Sequence, residues 1–419
     1  MKKEFSCDAS CKSYTANVTR LITILLAAAS LSCSDPMPPV SATDTQEHSG
    51  DSAGAPPTSD SRVALDSLEA QDTSAEVASH DTAVPDVPAP PGCPDLPSTD
   101  TLSLGDVADT KEPGLHHASH CQHIVWATPA GALMSHNLST DVSEELVDAA
   151  ANVQWPQVHH DTVVYVAGSP PQVHLLDRLS GTTTVLSPTN SPQKRPRISA
   201  TAVAWEDEGG TFAQVIRYDR SSGVTTTVDP SGADQRFIAL SDQGLVWTDF
   251  RDEDPNQRWD GDGNDQSELY GHMTGHSPTA LVTAPWKQAF PDIDGSRLIW
   301  MDWRDVQYDD ASLPQPQPKL SHFYVYQGTL KDGSVTESPL AEVQLGSYEG
   351  LPTIAGDWVA WAEDEQIAGL RLGSSEVIAL SEVKSGADLP VLSSQGLVFR
   401  IGEETLRFAP LPSSAPTTP

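Results

Sequence analysis

The sequence predicts an all-β fold, a β-propeller of four-stranded blades, and three observations lead there. The first is one interval that recurs from Pro156 to Tyr165, Pro196 to Trp205, Pro291 to Trp300, Pro352 to Trp361 and Pro390 to Phe399. Each copy holds an apolar residue two places after the proline, a polar or glycine-bearing turn, and an apolar pair leading into the aromatic. That filling is a strand, a tight turn and a second strand. The second observation is the pair Leu176-Asp177-Arg178-Leu179-Ser180-Gly181 and Tyr218-Asp219-Arg220-Ser221-Ser222-Gly223, each running into a Thr-rich β segment. These supply a third strand, a turn with glycine where positive φ is tolerated, and a fourth strand. The third is the placement of large side chains: no aromatic lies between Tyr14 and Trp126, and all ten tryptophans fall from Trp126 to Trp361. The residues that bury most area are confined to the second part of the chain, and so is its core.

Residues 1–32 read as a signal peptide. Lys2, Lys3, Lys12 and Arg20 precede the apolar run Leu21 to Ala29, which is too short for a membrane span and suits the core of an export signal. The following Ala29-Ser30-Leu31-Ser32-Cys33 resembles the lipobox of bacterial lipoproteins. That resemblance implies cleavage before Cys33, a lipid on Cys33 and loss of Cys7 and Cys11 with the leader, although Ser30 and Leu31 depart from the preferred order. An ordinary secretory signal is the alternative, and both readings export the protein. The lipoprotein reading implies a bacterial cell-envelope location, with Ser34 pointing to the outer membrane. Cys93 and Cys121 are then the even remainder, and a disulfide between them would close a loop of about 28 residues, worth on the order of 3 kcal/mol.

Residues 33–94 are rich in Pro, Ser, Thr, Ala and Asp and hold no aromatic. Such a segment cannot bury enough surface to offset its ordering entropy, so a disordered acidic tether is expected. Residues 413–419 read as a disordered tail.

The array occupies residues 95–412. Apolar runs ending in an aromatic stand at Ile124-Val125-Trp126, Val163-Val164-Tyr165, Val203-Ala204-Trp205, Leu245-Val246-Trp247, Leu298-Ile299-Trp300, Val359-Ala360-Trp361 and Leu397-Val398-Phe399. Six have an apolar residue at the matching upstream position: Val158, Ile198, Leu240, Ile293, Ile354 and Leu392. The first lacks it, because His116 to His123 replaces the expected apolar strand. The last repeat ends after about three strands, so Thr101 to Val107 is expected to supply the fourth and close the ring. Seven blades result, with six or eight as alternatives.

Gln193-Lys194-Arg195-Pro196-Arg197-Ile198-Ser199 and Gln288-Ala289-Phe290-Pro291-Asp292-Ile293-Asp294-Gly295, each leading to a tryptophan, resemble the repeat of TolB-like β-propellers. Asp249-Phe250-Arg251 and Asp302-Trp303-Arg304 extend the likeness. It implies the fold over most of the array and is silent about activity, because such propellers serve as scaffolds, binding modules and regulatory domains.

The two longest gaps between aromatic anchors follow Trp247 and Trp300, which places both insertions on one face, where function usually resides. The first contains Asp260-Gly261-Asp262-Gly263-Asn264-Asp265-Gln266-Ser267-Glu268. Its alternating oxygen donors suit Ca²⁺, with Asp260, Asp262, Asn264 and Glu268 as ligands, although Asp265 and Gly271 depart from the EF-hand pattern. A solvated acidic loop is the competing reading. The second offers Trp303, Arg304, Tyr308 and Asp309 as a face for carbohydrate or peptide, against the possibility that Trp303 packs on its own blade.

His116, His117, His120, Cys121 and His123 have the residue types of a zinc or copper site, but histidines along one strand alternate between its faces and a disulfide would take Cys121, so a metal site is the lesser of the two readings here. His159 and His160 read as turn chemistry. A formal net charge of −34 argues against nucleic-acid binding. No nucleophile elbow, zinc-protease motif or phosphate loop occurs. The expectation is a monomeric, non-enzymatic, envelope-anchored module or scaffold that binds a protein or glycan. The rival is a propeller-type carbohydrate-active enzyme, a lyase or hydrolase, which convergence of His and Arg at the central funnel would favour.

Overall fold

In a computed structural model the described residues are 93, 101–107, 116–251, 266–304, 322–344, 351–363, 366–381, 387–402 and 405–412. They form seven four-stranded antiparallel sheets. The first strand of each blade touches the first strands of its neighbours all the way round, the seventh meeting the first. Those first strands are His117–His120, Gln154–His159, Gln193–Ile198, Gln235–Leu240, Gln288–Asp294, Thr353–Ala355 and Ala387–Leu392. Blade one therefore has its inner strand after all, built from histidines where an apolar strand was expected. His117 is fully buried, and its Nε2 lies 2.9 Å from the Leu389 carbonyl of blade seven, a hydrogen bond that makes the polar strand tolerable there.

Ring closure follows the sequence expectation. Leu102–Asp106 pairs antiparallel with Thr405–Pro410 as the outermost strand of blade seven, and Val107 is buried in the seam between blades seven and one. Closure covers the edge that the last strand would otherwise expose.

Each recurring aromatic occupies one seam. Tyr165 packs between blades one and two, Trp205 between two and three, and Trp247 between three and four. Trp300 fills the next seam, Trp361 the one between five and six, Phe399 that between six and seven, and Trp126 that between seven and one. A blade buries its apolar face only against a neighbour, so one bulky ring per wedge is what the repeat conserves physically from blade to blade.

The proline also has a structural cause. Pairing of the first two strands shifts register between Gln154 and Gln157, Lys194 and Arg197, Arg236 and Ala239, Ala289 and Asp292, and Asp388 and Val391. Within each bulge one bulky residue adopts positive φ: Trp155, Arg195, Phe237, Phe290 and Leu389. In four of the five the next residue is proline. Its missing N–H is harmless on an inner strand whose other edge has no sheet partner. The freed N–H groups of two bulges are met by the preceding blade: Phe237 N–H donates to Glu206 Oε1 at 2.7 Å and Phe290 N–H to Thr248 Oγ1 at 3.2 Å.

Candidate functional site

The bulges lie near the start of their strands, and three of their side chains, Arg195, Phe237 and Phe290, line a cavity at the central channel, while Trp155 is buried beside Arg195. Arg195 stands over the rings of Trp155 and Phe237, at 5.9 and 5.1 Å, and Phe237 and Phe290 approach to 4.4 Å between centroids. Arg195 Nη1 also donates to Glu206 Oε2 at 2.6 Å, with both side chains buried. Together these groups make an aromatic collar held by one ion pair. Left-handed backbone at bulky residues is costly and persists only where surrounding structure fixes it.

Below the collar lies a cavity of about 200 Å³ lined by Gln157, Arg197, Asp292 and Thr353 among others. These four stand at the same repeat position, directly after the proline, so the repeat itself levels them. Asp292 accepts N–H bonds from Ile293 at 3.0 Å and Ile354 at 2.9 Å. Burial nevertheless raises its pKa above the ordinary carboxylate value, against the opposing pull of those bonds and of Arg197. Burial likewise lowers the pKa of Arg197, with Asp292 acting in the other direction. Both side chains are enclosed by protein yet keep partial exposure to the cavity they line. A guanidinium and a carboxyl group that both line the cavity, beside Phe237 and Phe290, suit a ligand that carries an anionic or hydroxyl-rich end.

Both insertions spring from this same end of the disc, and their stems are locked. Trp247 Nε1–H donates to Asp249 Oδ2 and Trp300 Nε1–H to Asp302 Oδ2, each at 2.9 Å. Arg251 pairs with Asp249 and Asp229 and covers the Tyr270 ring at 3.7 Å. Arg304 pairs with Asp302 and Glu337 and covers Tyr326 at 4.5 Å. The Asp-x-Arg signature is thus a rivet at the start of each insertion.

That arrangement places Arg304 in the scaffold, and Trp303 with it: the indole is 8% exposed and packs on Phe323 at 5.9 Å. Neither presents a free recognition face, because the ion pairs and the blade-five core claim them. Tyr308 and Asp309 lie outside the described residues, as do Cys33, Asp260, Asp262 and Asn264. Glu268 opens the third strand of blade four, opposite Asp249. Cys93 and Cys121 form a disulfide, S–S 2.01 Å. Sequence reasoning passed over Trp155, Arg195, Phe237 and Phe290. For Trp155, Arg195 and Phe290 the signal was present in the bulky residue before each proline, which alternation would turn inward only if a bulge intervened; Phe237 precedes Ile238 and lacks that signal.

Arg195, Arg197 and His120 all line the cavity. The convergence set out as favouring an enzyme is therefore present. Asp292 is the single carboxylate among its lining residues, and its oxygens are engaged by backbone.

No family model and no curated protein matches the chain. Among solved structures, an oligogalacturonate lyase in complex with manganese is 10% identical, with 76% of this chain and 98% of that one covered and a TM-score of 0.51. A chain of a mitotic checkpoint complex is 11% identical over 78% and 97%, with a TM-score of 0.50. TolB from Acinetobacter baumannii is 13% identical over 71% and 67%, with a TM-score of 0.43. Likenesses at these identities concern the fold, which hosts unrelated activities.

Proposed function

We propose that this protein is an envelope-located, monomeric binding module, anchored through a lipid on Cys33, that takes a protein or glycan partner at the collared end of its channel. The observation that carries the reading is the collar of Trp155, Arg195, Phe237 and Phe290 above the Arg197–Asp292 throat. An anionic group on the partner would enter toward Arg197, and a sugar face or apolar side chain would lie against Phe237 and Phe290. The described stems of both insertions lie on that same face, and the insertions would widen the contact, with Ca²⁺ ordering the first through Asp260, Asp262, Asn264 and Glu268. Among the described residues no helix is long and apolar enough to cross a membrane.

The test is a glycan array and a peptide panel probed with the labelled protein and with Arg197→Gln and Phe237→Ala. Discrete acidic hits that both variants lose support the proposal. No hit, or hits retained by both variants, would sink it. A second reading, an acid–base enzyme acting on an acidic polysaccharide, is favoured by the meeting of Arg195, Arg197 and His120 at the cavity. Its signature would be ultraviolet absorbance of an unsaturated uronate product, abolished in Arg197→Gln.

A further inference from the structure

At the opposite ends of the inner strands, the hairpin turns of blades one and two bring His120, His159 and His160 together. One ring nitrogen from each lies within 4.8 Å of the others. Their centroids form a nearly equilateral triangle: 4.4 Å between His120 and His159, and 4.6 Å for each of the other two pairs. The rings are mutually inclined at 35°, 74° and 88°, so they do not form a flat stack. His120 and His159 are the same repeat position in adjacent blades, each ending its inner strand. The alternation that separates histidines along one strand does not act between them.

We propose that His120, His159 and His160 form a three-imidazole site for a divalent transition ion of the zinc class. Tetrahedral zinc with nitrogen ligands needs ring nitrogens about 3.4 Å apart, so side-chain rotation of about an ångström would close the set. His120 Nδ1 accepts the His160 backbone N–H at 3.1 Å, which points that lone pair at the turn carrying the other rings. Ion binding exchanges this hydrogen bond for a coordination bond.

The backbone supplies an independent indication. The first turn residue of this hairpin has positive φ in blades one, two, five and six, where it is Cys121, His160, Gly295 and Gly356. Blades five and six use glycine, which carries no steric cost there. Blade two instead holds a histidine in that conformation, and blade one a cysteine disulfide-bonded to Cys93. The Cys121 Sγ lies 3.8 Å from His160 Nδ1, so the disulfide walls one side of the site. Imidazole donors select zinc, copper or nickel over calcium, which separates this site chemically from the acidic insertion on the other face.

The experiment uses the full protein without a polyhistidine tag, disulfide oxidised, stripped with chelator and desalted. Zn²⁺ is titrated in competition with a chromophoric chelator. One equivalent is expected to bind, unaffected by excess Ca²⁺, with Co²⁺ giving the intense visible bands of a tetrahedral site. His159→Asn should weaken binding by about a hundredfold or more. His160→Gly, which the positive φ accommodates and which should therefore fold, should do the same. His174→Gln, outside the cluster, should bind as the unaltered protein does. Absence of stoichiometric binding would overturn the proposal. Equal affinity in His159→Asn and His160→Gly would also overturn it, by assigning the ion to the acidic segments.

Discussion

Two tryptophans that occupy equivalent seams should respond differently to loss of one N–H. Trp300 and Trp205 are both fully buried. Trp300 Nε1–H donates to Asp302 Oδ2 at 2.9 Å, whereas Trp205 Nε1 is buried with no hydrogen-bond partner among the described residues. The acid two places after Trp205 is Asp207, which is turned away to accept the Gly209 N–H at 2.9 Å. Substitution by phenylalanine removes similar volume from both seams, roughly 1 to 2 kcal/mol at each. At Trp300 it also removes a hydrogen bond to an ionised acceptor, worth roughly 1.5 to 3 kcal/mol, and the lower part of that range applies because Arg304 continues to satisfy Asp302. At Trp205 it removes an unsatisfied buried donor, a relief of roughly 1 kcal/mol or more. Trp300→Phe should therefore cost about 3 kcal/mol more than Trp205→Phe. Urea denaturation followed by far-UV circular dichroism measures the difference without depending on tryptophan emission, provided the slopes agree. Equal losses in the two variants, or a greater loss at Trp205, would refute the claim that the Trp-x-Asp bond distinguishes these seams.

Acid should destabilise the protein partly through the buried histidines of blade one. Burial pushes His116 down to about 3 and His117 to about 4, so stability is complete above the unfolded value of 6.5 and is lost as pH falls from there toward the folded values. Each group can contribute up to about 1.4 kcal/mol per pH unit in that window, and His117→Gln should show a shallower fall in urea midpoint between neutral and mildly acid buffers; parallel falls would contradict it. Val107 is 1% exposed in the closing seam, so Val107→Asp should destabilise by at least about 3 kcal/mol, and size-exclusion chromatography should show self-association through the released edge. An unchanged urea midpoint in that variant would mean the closing strand is dispensable.

Much of the scaffold was legible because the repeat carries its own physical cause. Trp205, Trp247 and Trp300 recur since every wedge needs a large ring, and Pro156, Pro196, Pro291 and Pro390 recur since an inner strand loses nothing by lacking an N–H. The collar was not legible. Placing Arg195, Phe237 and Phe290 at the channel requires a bulge, and a bulge breaks the two-residue period on which inward and outward assignments rest. The histidine triangle was missed for a different reason. Reasoning along one strand correctly separated His117 from His120, but the partners of His120 come from the next blade, and only aligning His120 with His159 in repeat register sets them side by side. For Trp303 the sequence left two readings, a recognition face or packing on its own blade, because the Phe323 ring that buries it comes from a strand beyond the insertion.

The bond between Cys93 and Cys121 has a mechanical meaning. It closes a covalent loop that contains the closing strand Leu102–Asp106. A pull applied to the chain upstream of Cys93 passes through sulfur into the first blade and leaves Leu102–Asp106 slack. The hydrogen bonds that hold the two chain ends in one sheet are thereby taken out of the load path. A strand that would otherwise be the first to peel under tension becomes a passenger, and the disc resists as a ring gripped beside its innermost strand.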